Sequence, residues 1–118
     1  PQSDAPINFP KVSADGYTID WPTGAYDALN SVASQTWKGL FLTFDYGLSR
    51  EIIFKERPTG TARSYYKHQI CKSLFTQVGK QDLTCHLCWD DLRECLHKKN
   101  FSEVKLETQE SFLMNHHG

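Results

Sequence analysis

Glycine is sparse in this sequence and never clustered. The seven glycines of the 118 residues stand at 16, 24, 39, 47, 60, 79 and 118. That spacing excludes both the G-x-G-x-x-G turn and the P-loop, the backbone cradles that hold nucleotides at a helix N-terminus. Charge of one sign is not in excess either. With 13 Lys+Arg against 14 Asp+Glu the net charge is -1, so the basic footprint of a bulk nucleic-acid binder is missing. No apolar run approaches the ~18–20 residues that cross a bilayer. The 4 cysteines, without a signal-peptide apolar stretch, argue against a disulfide-stapled secreted domain. An initiating Met is lacking as well. The chain opens at Pro1 and closes in His117-Gly118, which reads as a piece trimmed or processed from a longer protein.

What remains fits one domain, since domains run to about 100–200 residues. At 39% hydrophobic residues a core is within reach, because chains of this size bury roughly two-thirds of their unfolded surface. Residues 1–16 carry Pro1, Pro6 and Pro10 without periodicity and read as an extended arm or loop. Thr23 is a candidate cap for a helix over residues 24–35, with Tyr26, Leu29, Val32 and Ala33 on one face. Residues 40–44, Leu-Phe-Leu-Thr-Phe between Gly39 and Gly47, are apolar without clean alternation. They read as a strand buried on both faces, as in a parallel sheet. Residues 51–54 are ambiguous between helix and strand, 57–60 read as a turn, and 61–70 as extended.

Residues 83–89 read as a second strand. Asp90 or Asp91 then caps a helix running to about Asn100, and Asp91 with Glu94 has capping-box spacing. Asn100 suits the left-handed position after the helix. Residues 101–108 alternate Val104 and Leu106 with Glu103, Lys105 and Glu107, predicting a strand, and residues 109–116 open a last helix. The element order argues an α/β fold, the later part of a doubly wound sheet.

Two segments carry candidate chemistry. Asp45-Tyr46-Gly47 follows the apolar run where open α/β sheets place ligands, beyond a strand's carboxyl end. Asp45 could hold a cationic substrate, and Gly47 permits a tight turn or close backbone approach; a plain turn accounts for the residues equally well. In Gln81-Asp82-Leu83-Thr84-Cys85-His86, period two puts Asp82, Thr84 and His86 on one strand face. They could line a cleft, with Asp82 and His86 as a proton-transfer or orienting pair, or form a wet edge. The stretch Gly60–His68 mixes Arg63, Lys67 and His68 with Tyr65 and Tyr66, a cleft wall or solvated face rather than a nucleic-acid strip. Cys85-His86-Leu87-Cys88, with Cys71 and Cys95 elsewhere, offers a C-x-x-C half-site. The usual second half is absent, so free thiols are expected and no metal.

In series these motifs resemble one family, the MidA-like S-adenosylmethionine-dependent methyltransferases, whose animal members serve as a mitochondrial complex I assembly factor. The residues that carry the resemblance are Asp45-Tyr46-Gly47, then Gly60-Thr61-Ala62-Arg63-Ser64-Tyr65 with His68. Gly79-Lys80-Gln81-Asp82-Leu83-Thr84-Cys85-His86 comes next, then Trp89 and Leu92, and finally Thr108-Gln109-Glu110-Ser111-Phe112-Leu113. They span roughly residues 17–115. The family's glycine-rich cofactor loop, the acidic residue after its second strand and its Asn-Glu segment are absent. Leu87-Cys88 stands where many members have an aliphatic-Asp pair, and the His116-His117-Gly118 ending differs from the usual small residues.

The resemblance implies that residues 17–118 are the C-terminal portion of a Rossmann-like methyltransferase domain. Residues 40–44 would be its fifth strand and residues 101–108 its sixth. It implies methyl transfer from S-adenosylmethionine to a protein nitrogen, an arginine in animal relatives, by a parent protein that binds the cofactor mostly through residues absent here. This chain alone would be inactive. The substrate-binding candidates are Asp45, Tyr46, Gly47, Arg63, His68, Asp82, Thr84 and His86. The implied location is cytoplasmic in bacteria and mitochondrial in eukaryotes. The expected partner is a protein substrate, not nucleic acid or membrane, and an open sheet edge would let the chain form a homodimer. The competing reading is a non-catalytic partner-binding α/β module.

Overall fold

A computed structural model describes residues 14–117. Most of the arm expected over residues 1–16 therefore lies outside the described residues. The chain is mixed α/β: α1 Thr23–Ala33, β1 Gly47–Leu48, α2 Arg50–Glu56, β2 Arg63–Tyr66, β3 Gln69–Ile70, β4 Asp82–Thr84, β5 Leu87–Cys88, α3 Trp89–Lys98 and α4 Gln109–His116. The strands form two small sheets. One is a parallel pair, β1 with β5, in the register Gly47 to Leu87 and Leu48 to Cys88. The other is antiparallel in the order β3-β2-β4. Among the described residues there is no continuous doubly wound sheet.

Helix α3 packs on β5, and α1 and α2 pack on α3, held by side chains that the helical repeat brings into line. Positions four apart share a face, so Tyr26, Asn30 and Ser34 of α1 and its C-cap meet Asp91, Cys95 and Lys99 of α3 and its C-cap rung by rung. The Tyr26 hydroxyl donates to Asp91 at 3.3 Å, the Cys95 thiol to Asn30 at 3.3 Å, and Lys99 Nζ to the Ser34 hydroxyl at 3.2 Å. The pairs ascend together, so the two helices run parallel. From α2, the Arg50 guanidinium reaches Asp91 and also Glu94 at 2.9 Å, while the Arg50 backbone N–H donates to Asp90 at 2.7 Å. Buried apolar side chains are few: among the described residues they are Ile53 and Cys88, joined by the buried polar Thr61 and Ser64.

Several local expectations are met for the physical reasons given. Helix α4 starts at Gln109, and its N-cap Thr108 hydroxyl accepts from the Ser111 N–H. Asn100 has φ 62. Its N–H donates to the His97 carbonyl at 3.3 Å and the Phe101 N–H donates to Leu96 at 3.4 Å, the paired bonds of a Schellman helix end. The 57–60 turn closes with the Gly60 N–H on the Arg57 carbonyl at 3.0 Å. The ambiguous 51–54 segment is helical, because Ser49 caps it by accepting from the Ile52 N–H.

Others are corrected. Thr23 is the first helical residue and Pro22 the cap. Cys88 caps α3, and Asp90 and Asp91 lie in its first turn, facing Arg50 rather than closing a capping box. The run 40–44 is not a buried strand: Leu40, Leu42 and Phe44 are 84%, 48% and 53% exposed. A strand exists through its ladder, and this one finds a partner only at its end, where the Tyr46 carbonyl accepts from the Leu87 N–H at 3.0 Å. Residues 101–108 likewise form no ladder, because alternation supplies faces but no neighbouring strand. The 61–70 segment splits into a hairpin turning at Lys67 (φ 49) and His68 (φ 63), the positive-φ pair of a type I′ turn. The expected strand over 83–89 is two strands, β4 and β5, in different sheets. Asp82, Thr84 and His86 therefore do not share one strand face: the chain leaves the antiparallel sheet after Thr84, and His86 lies in the link.

Candidate functional site

The switch at Cys85-His86 gathers the site. As the chain passes from one sheet to the other, it crosses a loop anchored by Asp20. One carboxylate oxygen of Asp20 accepts from the Thr61 N–H, from the Thr61 hydroxyl at 2.8 Å and from the Ala62 N–H at 3.0 Å. The same hydroxyl accepts from the His86 N–H at 2.9 Å. Thr61 is buried, so this two-way use of its oxygen satisfies three segments at once. Gly60 has φ +79, and a Cβ there would stand 3.0 Å from both carboxylate oxygens. Glycine is required by both backbone angle and space.

The parallel pair sets Gly47 against Leu87 and Leu48 against Cys88, and Asp45 and Cys85 lie just before these strands. Burial raises the Cys85 pKa, and the negative charges of Asp20 and Asp45 raise it further. Both effects favour the Cys85 thiol over a nucleophilic thiolate. The Cys88 thiol is pushed from 9.0 up to about 11, chiefly by burial. Burial and the neighbouring Asp91 carboxylate raise Tyr26 above the ordinary phenol range.

Two concavities share Asp20 and Trp21. A small one lies beneath His86, between Ile53, Tyr26 and Cys88, with a volume of about 20 Å³, room for one water. The larger, open cleft of about 280 Å³ is lined by Trp21, Leu74, Leu83, Thr84 and Cys85.

The sequence-predicted residues distribute unevenly around these features. His86 and Thr84 each line one concavity. Asp45 and Tyr46 line neither concavity, and Asp45 accepts from the Tyr46 N–H at 2.7 Å, the local bond of a simple turn. Gly47 lies under the Trp89 indole, and a Cβ there would stand 2.6 Å from Nε1, so the need is for close approach. Arg63 stands opposite Thr84 and Asp82 opposite Tyr65 across β2 and β4. His68 is apart from them, exposed at the hairpin turn. Sequence reasoning missed Asp20 and Thr61. Asp20 lies between Ile19 and Trp21, and a lone carboxylate in an apolar stretch was the available signal. Thr61 stood inside the Gly60–Tyr65 motif, which gives no sign of its bond to Asp20. Among the described residues no group of three His, Cys, Asp or Glu is placed to hold a metal ion.

A family profile described as "Putative S-adenosyl-L-methionine-dependent methyltransferase" matches residues 2–106. The chain belongs to this methyltransferase family. No curated protein and no solved structure matches it. Its glycines are isolated, and Gly60, the one beside the concavities, faces the Asp20 carboxylate rather than open space.

Proposed function

We propose that the chain is the C-terminal, acceptor-side part of an S-adenosylmethionine-dependent methyltransferase with a Rossmann-like sheet. It acts on a protein nitrogen, an arginine guanidinium, and the cofactor is held mostly by residues outside this sequence. The observation that carries the reading is the methyltransferase family match over residues 2–106, in a chain where Asp20, Thr84 and Cys85 line an open cleft. When bound, the cofactor supplies the methyl group. The work of this chain is to orient the acceptor: a planar guanidinium presents paired N–H donors that a carboxylate receives bidentately. Asp45 and Asp82 are the proposed acceptor contacts, and Asp20 joins them. Thr84 and His86 border the concavities, and the roles proposed for Arg63 and Tyr46 are contacts to the incoming acceptor, with Gly47 seating the turn. His68, on the hairpin, takes no part in the cleft and would contact the acceptor protein outside it.

Calorimetry with S-adenosylmethionine and S-adenosylhomocysteine tests this, on the 118-residue chain beside one extended upstream. No heat from the short chain and micromolar binding by the longer one is the expected result. Binding by the short chain would refute the assignment of the cofactor site to other residues. No binding by the longer chain would refute the methyltransferase reading.

The exposed run Leu40–Phe44 favours a second reading, a non-catalytic partner-binding module. An upstream sequence without a glycine-rich strand-turn-helix would support it. The same open edge is where a second copy would add, and light scattering of the isolated chain reads that directly.

A further inference from the structure

Charge is unevenly spread along this near-neutral chain. Residues 57–81 contain Arg57, Arg63, Lys67, Lys72 and Lys80 and no Asp or Glu. Among the described residues, the ion pairs involve Arg50, Lys55 and Lys105, and none of these five cations. The same segment presents large apolar side chains to solvent: Phe75 is 85% exposed and Val78 78%, and the neighbouring Leu83 is 65% exposed.

This is an ordered loop, not a loose one. The Ser64 hydroxyl donates to the Ser73 carbonyl at 3.2 Å, the Cys71 N–H to the Ser64 carbonyl at 2.8 Å, the Thr76 hydroxyl to Ser73 at 3.0 Å and the Gln81 amide to the Leu74 carbonyl. A loop tied at both ends that still exposes phenylalanine and valine beside unpaired lysines has the make-up of an interaction surface.

We infer that the β2–β3 hairpin and the 71–80 loop form a docking surface for an acidic polypeptide segment carrying apolar side chains. The inference rests on the reading of the chain as the acceptor side of a protein methyltransferase, since Leu74 and Leu83 also line the open cleft that reaches Asp20 and Cys85. A polypeptide held on the loop would run into that cleft.

Charge complementarity selects an anionic partner, and shape selects among anions. The cleft of about 280 Å³ at the base of the loop receives a protruding side chain, which a flat membrane surface does not offer. Nucleic acid binds such surfaces by stacking bases on open aromatic faces. Here Phe75 is the one aromatic among the exposed large apolar side chains of the loop, Val78 and Leu83 are aliphatic, and the Lys67 ammonium lies over the Tyr66 ring, 5.5 Å from its centroid.

The test is fluorescence anisotropy of the full 118-residue chain with a labelled synthetic peptide of alternating glutamate and leucine. A glutamate–serine peptide, vesicles of phosphatidylserine and phosphatidylcholine, and a single-stranded oligonucleotide are run beside it. The glutamate–leucine peptide is expected to bind with micromolar affinity that weakens as salt rises. The double variants K72E/K80E and F75S/V78S should each weaken it about tenfold or more, while K98E, on α3, leaves it unchanged. All these side chains are exposed, and matching thermal melts confirm that the variants fold. Absence of peptide binding, binding indifferent to both double variants, or tighter binding of vesicles or oligonucleotide would overturn the inference. Peptide binding is read without cofactor, so it fails or stands separately from the calorimetric test of methyltransferase function.

Discussion

Replacing Gly47 by alanine tests whether the Asp-Tyr-Gly motif is set by packing or by a ligand. A Cβ at residue 47 would stand 2.6 Å from Trp89 Nε1 and 2.7 Å from Cζ2. Non-bonded carbon atoms settle at about 3.5–4.0 Å, so the methyl and the indole must part by roughly an ångström. The obstacle is the body of a ring at the first residue of α3, not the tip of a flexible chain, and moving it disturbs the β1–β5 pair beneath. Overpacking of this kind costs about 1–3 kcal/mol, which lowers the melting temperature by about 4 °C or more for each kcal/mol in a chain of this size. The assay is urea unfolding of Gly47→Ala, Trp89→Leu and the double variant, followed by circular dichroism. If the contact sets the cost, the double variant is markedly less destabilised than the sum of the singles, with a coupling of about 1 kcal/mol or more. A Gly47→Ala protein as stable as the parent would refute the packing argument. So would additive single variants. Either result would return the glycine to a role in backbone approach to a ligand.

Two further outcomes follow from the same neighbourhood. Thr61→Val removes the oxygen shared by Asp20 and His86 and should cost about 1–3 kcal/mol, with Thr61→Ser recovering most of it; thermal melts and hydrogen exchange at the His86 amide report both. The Cys88 thiol has its folded pKa raised from 9.0 to about 11, so the stability it contributes is fully present below pH 9 and is lost as pH rises through about 11. Cys88→Ala should flatten that alkaline limb in urea titrations across this window, and Cys88 should alkylate more slowly than Cys71 at pH 8.

Local chemistry was legible in the sequence where the cause is itself local. The Asn100 helix end, the last helix over 109–116 and the Gly60 turn depend on residues within a few positions of one another. Strands were legible only as candidates. The 40–44 and 101–108 segments have the composition of strands, yet ladders depend on what lies beside them, and the described residues place nothing there. The site was legible in part. Asp45 and His86 were visible through their motifs. Asp20 and Thr61 were not, because their roles come from contacts across 41 positions of sequence. The capping-box spacing of Asp91 and Glu94 misled for a related reason: Arg50, 41 positions before Asp91, claims both carboxylates.

The way Asp45 reaches the site explains why the exposed run before it matters. Residues 40–44 feed directly into Asp45 and then β1, and β1 is held by a two-residue parallel ladder and the Trp89 contact. Parallel pairing is the less stable kind per residue and is found where both faces are covered. A carboxylate on so short a ladder is positioned only as firmly as the strand leading to it. Pairing of the 40–44 backbone with a neighbouring strand would lengthen that ladder, bury Leu40, Leu42 and Phe44, and fix Asp45 beside Cys85. Under the proposed function, assembly of the sheet and preorganisation of the acceptor site are then one event. Cofactor binding and acceptor orientation should appear together when the upstream residues are present, and neither should be recovered by strengthening the Asp20–Thr61–His86 anchor alone.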